Sequence, residues 1–300
     1  MSRAITFFCP APSAPPPPAP PSLDAYTASL FGAYGIARLL SAYTGHAMTV
    51  RRSSDSTTAN IDFLVGGGLD TTTLLAFVGA GDGFVAELFD QSGAGNHFAQ
   101  ATTTKQPKIV SAGTYLGYLM WDDTDDLLTG TTASGGSAAA TAYIGGTLRS
   151  TAARQVLLDS FNGSIPAGTT AGSIRWDYEI SFHGYRNILI SDTGTNLVIG
   201  ESTAASLSTN VHTIVCDFSQ ASNATRDLYY VNASAQTLSY STSGTISTST
   251  VLAASENWNL GSSNDGTLPS SLNLYVCAIY NANHNSTTVT GVETVLNHYV

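Results

Sequence analysis

The chain has 300 residues, 43% of them hydrophobic and 11% charged, with a formal net charge of −10. That length suits one large β domain or two small ones, and the charged share is under half the usual value of about 25%. An acidic balance with lysine only at Lys105 and Lys108 excludes a phosphate-tracking nucleic-acid binder, and no run of about 18 apolar residues offers a membrane-inserting helix.

Ala4 to Phe8 is too short for a secretory h-region and runs straight into proline. Eight of the eleven prolines fall between residues 10 and 21, with Pro15 to Pro18 consecutive. Such a segment forms neither helix nor central strand and is expected as an extended polyproline II arm, residues 1–22, that docks on another chain. Cys9 lies in this arm as a free thiol or an interchain bridge. Cys216 and Cys277 sit in apolar, strand-like runs and are expected as buried thiols. The remainder, 23–300, reads as one domain.

Residues 23–44 are expected to be helical. Leu30, Ile36, Leu39, Leu40 and Tyr43 fall near a 3.6 period, and Gly45 is a stop signal. Asp70 is an N-cap for a short helix carrying Leu74, Leu75 and Phe77. Residues 23–80 thus read as a helical preface. After Gly83 the pattern turns to strand: Val85, Leu88 and Phe89 lead into a turn at Asp90–His97, Phe98 starts the next strand, and Ile109 to Val110 and Tyr115 to Trp121 follow. Short β segments then recur at 142–144, 155–158, 176–182, 188–190, 197–199, 212–218, 228–231, 258–260 and 272–280. Many short strands at such spacing mean a sandwich or barrel. The end returns to helix on an apolar stripe of Val289, Val292, Val295, Leu296 and Tyr299. Thr290 with Glu293 has capping-box spacing, and Ser286 and Thr287 are rival caps.

Three groups of residues carry possible chemistry. In the turn, Asp90 and Asn96 are suited to bonding their own backbone, Gly93 and Gly95 to positive φ, and His97 to a loop carbonyl, which favours a structural turn over a ligand site. Asp122, Asp123, Asp125 and Asp126 place four carboxylates in five residues. They are weak Ca²⁺ candidates, since no Asp-x-Asp-x-Asp-Gly loop is present, and a solvated turn is favoured. Trp176, Tyr178, Tyr185 and Trp258 are candidates for stacking on sugar rings, although half of any alternating set belongs to a core. No nucleophile elbow, Walker loop, paired-cysteine zinc site or His-Glu-x-x-His occurs, and no cofactor is expected.

Tyr43-Thr44-Gly45, Val50-Arg51-Arg52-Ser53-Ser54-Asp55 and Phe89-Asp90-Gln91-Ser92-Gly93-Ala94-Gly95-Asn96-His97 together resemble the first part of the arabinofuranosidase B catalytic domain. That family's pattern runs Tyr-Thr-Gly, Val-Lys-Arg-x-Ser-Asp and Tyr-Asp-Gln-Ser-Gly-x-Gly-Asn-His. The segment Trp121-Asp122-Asp123-Thr124-Asp125-Asp126-Leu127-Leu128 is similar to a strand and turn of laminin-G and concanavalin A-like lectin domains. Leu260 to Gly266, with the strand and helix after it, resembles how such domains close. The resemblance implies a mainly β, two-sheet concanavalin A-like jelly roll with the helical preface and a short C-terminal helix. It also implies catalytic positions. The family's nucleophile is the Glu of Asp-x-Glu-Asn, which maps to Asp177 and Glu179, with Ile180 replacing Asn. Its acid/base Asp maps to Ser263, with Asp265 two residues on. Its vicinal cysteine pair maps onto Val156-Leu157-Leu158-Asp159.

With the acid/base and the disulfide unmatched, the balance leans against turnover. The expectation is then a bacteriophage virion component (fibre, spike, collar or decoration protein), anchored to other virion proteins by residues 1–22. It would be a homo-oligomer, with a trimer favoured, and would display a lectin-like domain to host surface glycans at the virion surface. The alternatives are an arabinofuranosidase-type glycoside hydrolase using Glu179, Asp177 and Asp265, and a secreted, extracellular carbohydrate-binding lectin.

Overall fold

The computed structural model describes residues 19–132, 136–150, 153–160, 172–179, 184–190, 196–202, 209–253, 257–263 and 266–300. Most of the proline-rich arm, Cys9, His183 and Asp265 lie outside them. In chain order, a 3-10 turn at Leu23–Tyr26 leads into β1 (Leu30–Gly35), β2 (Met48–Arg52) and β3 (Thr58–Ile61). Helix α1 (Thr71–Val78) follows, then β4 (Gly83–Leu88), β5 (Phe98–Ala99), a 3-10 turn at Thr103–Lys105, β6 (Lys108–Ser111), β7 (Thr114–Met120) and β8 (Leu128–Thr132). Next come β9 (Ala139–Leu148), β10 (Gln155–Asp159), β11 (Ile174–Glu179), β12 (Gly184–Ile190), β13 (Leu197–Glu201) and β14 (Asn210–Asp217). The chain ends with α2 (Asn223–Arg226), β15 (Asp227–Val231), β16 (Ser234–Gln236), β17 (Ser239–Ser243), β18 (Asn257–Leu260), β19 (Leu272–Tyr280) and α3 (Ser286–Leu296).

All pairings are antiparallel and build a β-sandwich. The front sheet runs β17-β13-β12-β11-β10-β18-β8-β5-β4-β2-β3. The back sheet runs β16-β15-β14-β9-β19-β1. β6 and β7 bridge the two from β4 to β19. Alternation along the strands decides what lies between the sheets. On β14, His212, Ile214 and Cys216 face inward while Val211 and Val215 face outward. On β11, Trp176 and Tyr178 face inward. Across the gap the His212 ring lies 4.6 Å from Tyr185 and 6.4 Å from Trp176.

A second apolar layer closes the outside of the back sheet. Val289, Val292 and Leu296 of α3 cover Tyr143, Val211, Val215, Val276 and Tyr280. The cap of α3 is Asn285, whose side chain accepts from the Thr288 N–H, rather than Ser286, Thr287 or Thr290. Glu293 serves no cap. It is buried, accepting from the Thr213 hydroxyl and the Ala233 N–H. Asp70 caps α1 through the Thr73 N–H at 3.0 Å, as its spacing implies.

Of the helical preface expected over 23–80, only α1 is observed. Residues 23–44 contain one short 3-10 turn and then β1, a strand paired along β19 with Ala33 opposite Ala278 and Tyr34 opposite Cys277. The 3.6 spacing there is met by a strand followed by a loop. Leu39 and Leu40 reach the α3 layer because Gln91 fixes that loop, its Oε1 accepting from the Leu39 N–H and its Nε2 donating to the Ala37 carbonyl. Partners 52 and 54 residues apart decide the conformation, so local periodicity misleads.

Candidate functional site on the outer face of the front sheet

Register carries the polar residues of the front sheet onto its outer face. Arg175 lies opposite Asp159, Asp159 opposite Asn259, and Asn259 opposite Thr129. Thr129 continues to Ala99, Glu87, Thr49 and Asn60. A second row runs Val156, Asp177, Arg186, Glu201 and Ser239. Position 179, two residues beyond Asp177 on β11, belongs to the same face.

Two ion-pair groups occupy the β10–β12 part of this face. Asp177 is fully buried, and Arg154 donates to its Oδ2 from Nε at 2.9 Å and from Nη2 at 2.5 Å. Arg186 donates from Nε to Oδ1 at 3.0 Å and from Nη2 to Oδ2 at 3.1 Å. Beside it, Arg175 donates through Nη2 to Asp159 Oδ2 at 2.7 Å, both buried. Asn259 accepts from the Thr129 hydroxyl at 3.1 Å. Among Arg154, Asp177 and Arg186 two guanidinium groups face one carboxylate, so the three carry one formal positive charge.

Sequence reasoning named Asp177 and Glu179 but missed the arginines and Asp159. The signal was there: Arg175-x-Asp177-x-Glu179 puts one positive and two negative residues at alternate positions of one strand in a chain with few charges. Ser263, at the position resembling the acid/base, is buried and used structurally. Its Oγ accepts from the Leu268 N–H at 3.1 Å and its carbonyl from the Gly266 N–H at 2.8 Å. At the place of the vicinal cysteines, Leu157 and Leu158 both enter the core at a β-bulge. Cys216 and Cys277 are free and buried.

The four aromatic candidates do not line this face. Trp176, Tyr178, Tyr185 and Trp258 are each at most 3% exposed and belong to the central core. They are packing residues rather than sugar platforms, because alternation turns them inward while Arg175, Asp177 and Arg186 turn out. The Asp90–His97 turn spends its polar groups on the fold. Asp90 accepts from the N–H groups of Ala33, Ser92 and Asn96. Asn96 donates to the Phe31 carbonyl, and His97 Nδ1 accepts from the Asp90 N–H. Gly93 and Gly95 take φ of 84° and 78°.

In the acidic run, oxygens of Asp122, Asp125 and Asp126 lie within 4.8 Å of one another, and Asp123 is not part of that group. Asp122 Oδ1 accepts from the N–H groups of Thr124 and Asp125, and Asp126 Oδ2 from the Asp122 N–H. Burial, then the charges of Asp122 and Asp125, push the Asp126 carboxyl up to about 7.

The fold is a mainly β sandwich whose outer face carries the ion-pair groups described. Residues 24–116 match the model of the α-L-arabinofuranosidase B catalytic family. No curated protein matches by sequence. Among solved structures, an arabinofuranosidase complexed with arabinofuranosyl-α-1,2-xylobiose superposes with a TM-score of 0.58 at 16% identity, covering 93% of this chain and 64% of that one. A GH54 α-L-arabinofuranosidase soaked with a cyclic sulfate inhibitor gives 0.57 at 15% identity, covering 93% and 65%. A glutamate-to-glutamine mutant soaked with 4-nitrophenyl α-L-arabinofuranoside gives 0.56 at 16%, with the same coverage. The chain thus spans slightly less than two thirds of the length of these structures, and at such identity the likeness is one of fold. The expectation of a phage display protein is overturned by these findings: both the family model and the superposed structures are arabinofuranosidases.

Proposed function

We propose that this chain is an arabinofuranosidase-type glycoside hydrolase module acting from the outer face of the front sheet. Glu179 is its nucleophile, and Asp177, fixed by Arg154 and Arg186, positions the sugar and the charge around it. The observation that carries this reading is the Arg154–Asp177–Arg186 cluster around a buried carboxylate two residues from position 179 on the same strand. Glu179 would attack the anomeric carbon while a carboxylic acid protonates the departing oxygen, and water would then release the glycosyl ester. Asp265 is assigned as that acid.

The test is release of 4-nitrophenol from 4-nitrophenyl α-L-arabinofuranoside. The expected result is turnover in the intact chain, lost by at least a thousandfold in Glu179→Gln and in Asp265→Asn. No release above background from the intact chain would overturn the reading. One observation favours a second reading, a glycan-binding module without turnover: Ser263 is buried and bonded where the resemblance puts the acid/base. It predicts arabinofuranoside binding with no hydrolysis and no effect of Asp265→Asn.

A further inference from the structure

Away from β10–β12, the same outer face carries a second built site. A cross-strand row passes Arg51 on β2, Phe84 on β4, Lys108 on β6 and Met120 on β7, each opposite the next. These four side chains, with Asp122 and Asp126 from the turn after β7, line a cavity of about 480 Å³. That lies within the roughly 300–1,000 Å³ of small-molecule sites.

Arg51 is the unusual member. It is 8% exposed, and among the described residues no carboxylate forms an ion pair with it, a situation it shares with the buried Arg226. Its Nε donates to Gln106 Oε1 at 2.7 Å and its Nη2 to the Thr103 carbonyl at 2.9 Å. Its guanidinium carbon lies 4.6 Å from the Phe84 ring centroid. Gln106 is fixed in turn by donating to the Gln100 carbonyl. A neutral cradle therefore holds a buried cation in the cavity wall, through Nε and Nη2 and not through Nη1. Removing such a charge from water without a counterion is costly, which an incoming anion offsets.

The cavity is not a plain anion hole. Lys108 is neutralised by Asp82 at 2.8 Å. Opposite Arg51, the Asp122 and Asp126 carboxyls each keep one oxygen not engaged by the turn. A bare anion meets repulsion there and a bare cation meets it at Arg51. The ligand must present a carboxylate at one end and hydrogen-bond donors at the other.

We propose that this cavity is a second binding site that takes a sugar acid, its carboxylate paired with Arg51 and its hydroxyls donating to Asp122 and Asp126. Naming the donors as sugar hydroxyls rests on the carbohydrate reading of the neighbouring face, and the Arg51 end does not. A guanidinium prefers a two-point contact with a planar carboxylate.

The test is calorimetric titration of the full chain with D-glucuronate, D-glucose, glycine and inorganic phosphate. The expected result is one glucuronate bound per chain, at least tenfold tighter than each of the other three. Arg51→Met and Asp126→Asn are each expected to weaken glucuronate at least tenfold. Asp126→Asn serves as the second variant should Arg51→Met fail to fold, which its near-ultraviolet circular dichroism reads. Equal affinity for glucose, tighter binding of phosphate or glycine, or unchanged affinity in a folded variant would each overturn the proposal. The titration needs no turnover, so failure of the aryl arabinofuranoside assay leaves this site standing, and failure here leaves the hydrolase reading standing.

Discussion

The carboxylate of Glu293, in the middle of α3, accepts a hydrogen bond from the hydroxyl of Thr213 in the middle of β14. Its other oxygen accepts from the N–H of Ala233, in the β15–β16 turn. One fully buried acid thus ties the C-terminal helix to two strands of the back sheet, with Tyr143, Tyr229 and Tyr230 around it.

Burial pushes the Glu293 carboxyl from 4.5 up to about 7. The unfolded chain gives up this proton near pH 4.5 and the folded chain only near 7. Ionisation therefore costs stability progressively across that window, by on the order of 3 kcal/mol once complete. Urea unfolding at pH 5, 6, 7 and 8 should show the intact chain losing stability relative to Glu293→Gln as pH rises. A difference that stays flat over this range would contradict the assignment.

His212 behaves in the opposite sense. Its Nδ1 lies 2.7 Å from the Tyr229 hydroxyl, and burial lowers its pKa from 6.5 to about 4. The unfolded chain binds a proton below 6.5 that the folded chain refuses until about 4, so this group removes stability as pH falls through that interval. His284, bonded to Tyr143 and lowered to about 4, adds to the effect. Nitrogen-15 spectra of the ring at pH 5.5 are expected to show neutral imidazole at both positions. A charged ring at that pH would be the wrong outcome.

Asp177 is predicted to matter for folding before it matters for sugar. Asp177→Asn leaves Arg154 and Arg186 directed at a neutral amide in a buried place. The expected loss is about 3–5 kcal/mol in chemical unfolding. Arg154→Met should cost less, because Arg186 still holds the carboxylate and the Arg154 side chain is 26% exposed. Equal losses in the two variants would mean that the pairs do not act as described.

Gly200 and Asp227 form a packing pair across the sandwich. A methyl group at Gly200 would stand 1.9 Å from Asp227 Oδ2. The Asp227 carboxylate cannot easily retreat, since Asn187 Nδ2 donates to its Oδ1 at 2.6 Å. Gly200→Ala is expected to cost about 1–3 kcal/mol. In an Asp227→Ala background the same change should cost less than half as much. Identical costs in both backgrounds would refute the contact.

Trp176→Ala separates core from platform. The fully buried indole predicts a loss of about 3–5 kcal/mol in stability. Glycan affinity, measured under conditions where the variant stays folded, is expected to change less than threefold. A stable variant with abolished glycan binding would restore the stacking role.

The β character was legible from residue 83 onward because short apolar runs punctuated by Gly, Asn and Asp report strand spacing directly. The Asp70 cap was legible for the same local reason, since its acceptor reaches only to Thr73. β1 was not, because its conformation depends on β19 some 240 residues later and on Gln91. The α3 cap was misplaced by one signal competing with another: Thr290 and Glu293 have capping-box spacing, but Glu293 is spent on Thr213.

For the candidate site, the sequence by itself determined the residue types: Asp177 and Glu179 two apart on a strand, Arg51 after Val50, a cluster of aspartates at 122–126, and aromatics enough for a core. Strand periodicity is intrinsic to the backbone, so it also determined that Trp176 and Tyr178 lie on the face opposite Asp177. Only the tertiary structure decided which of those faces is the interior. It placed three arginines against two aspartates through pairings of β10, β11 and β12, and at the cavity wall it left Arg51 without an ion-pair partner among the described residues. Ion pairing and burial depend on what the register brings opposite, and register is a long-range property of the sheet.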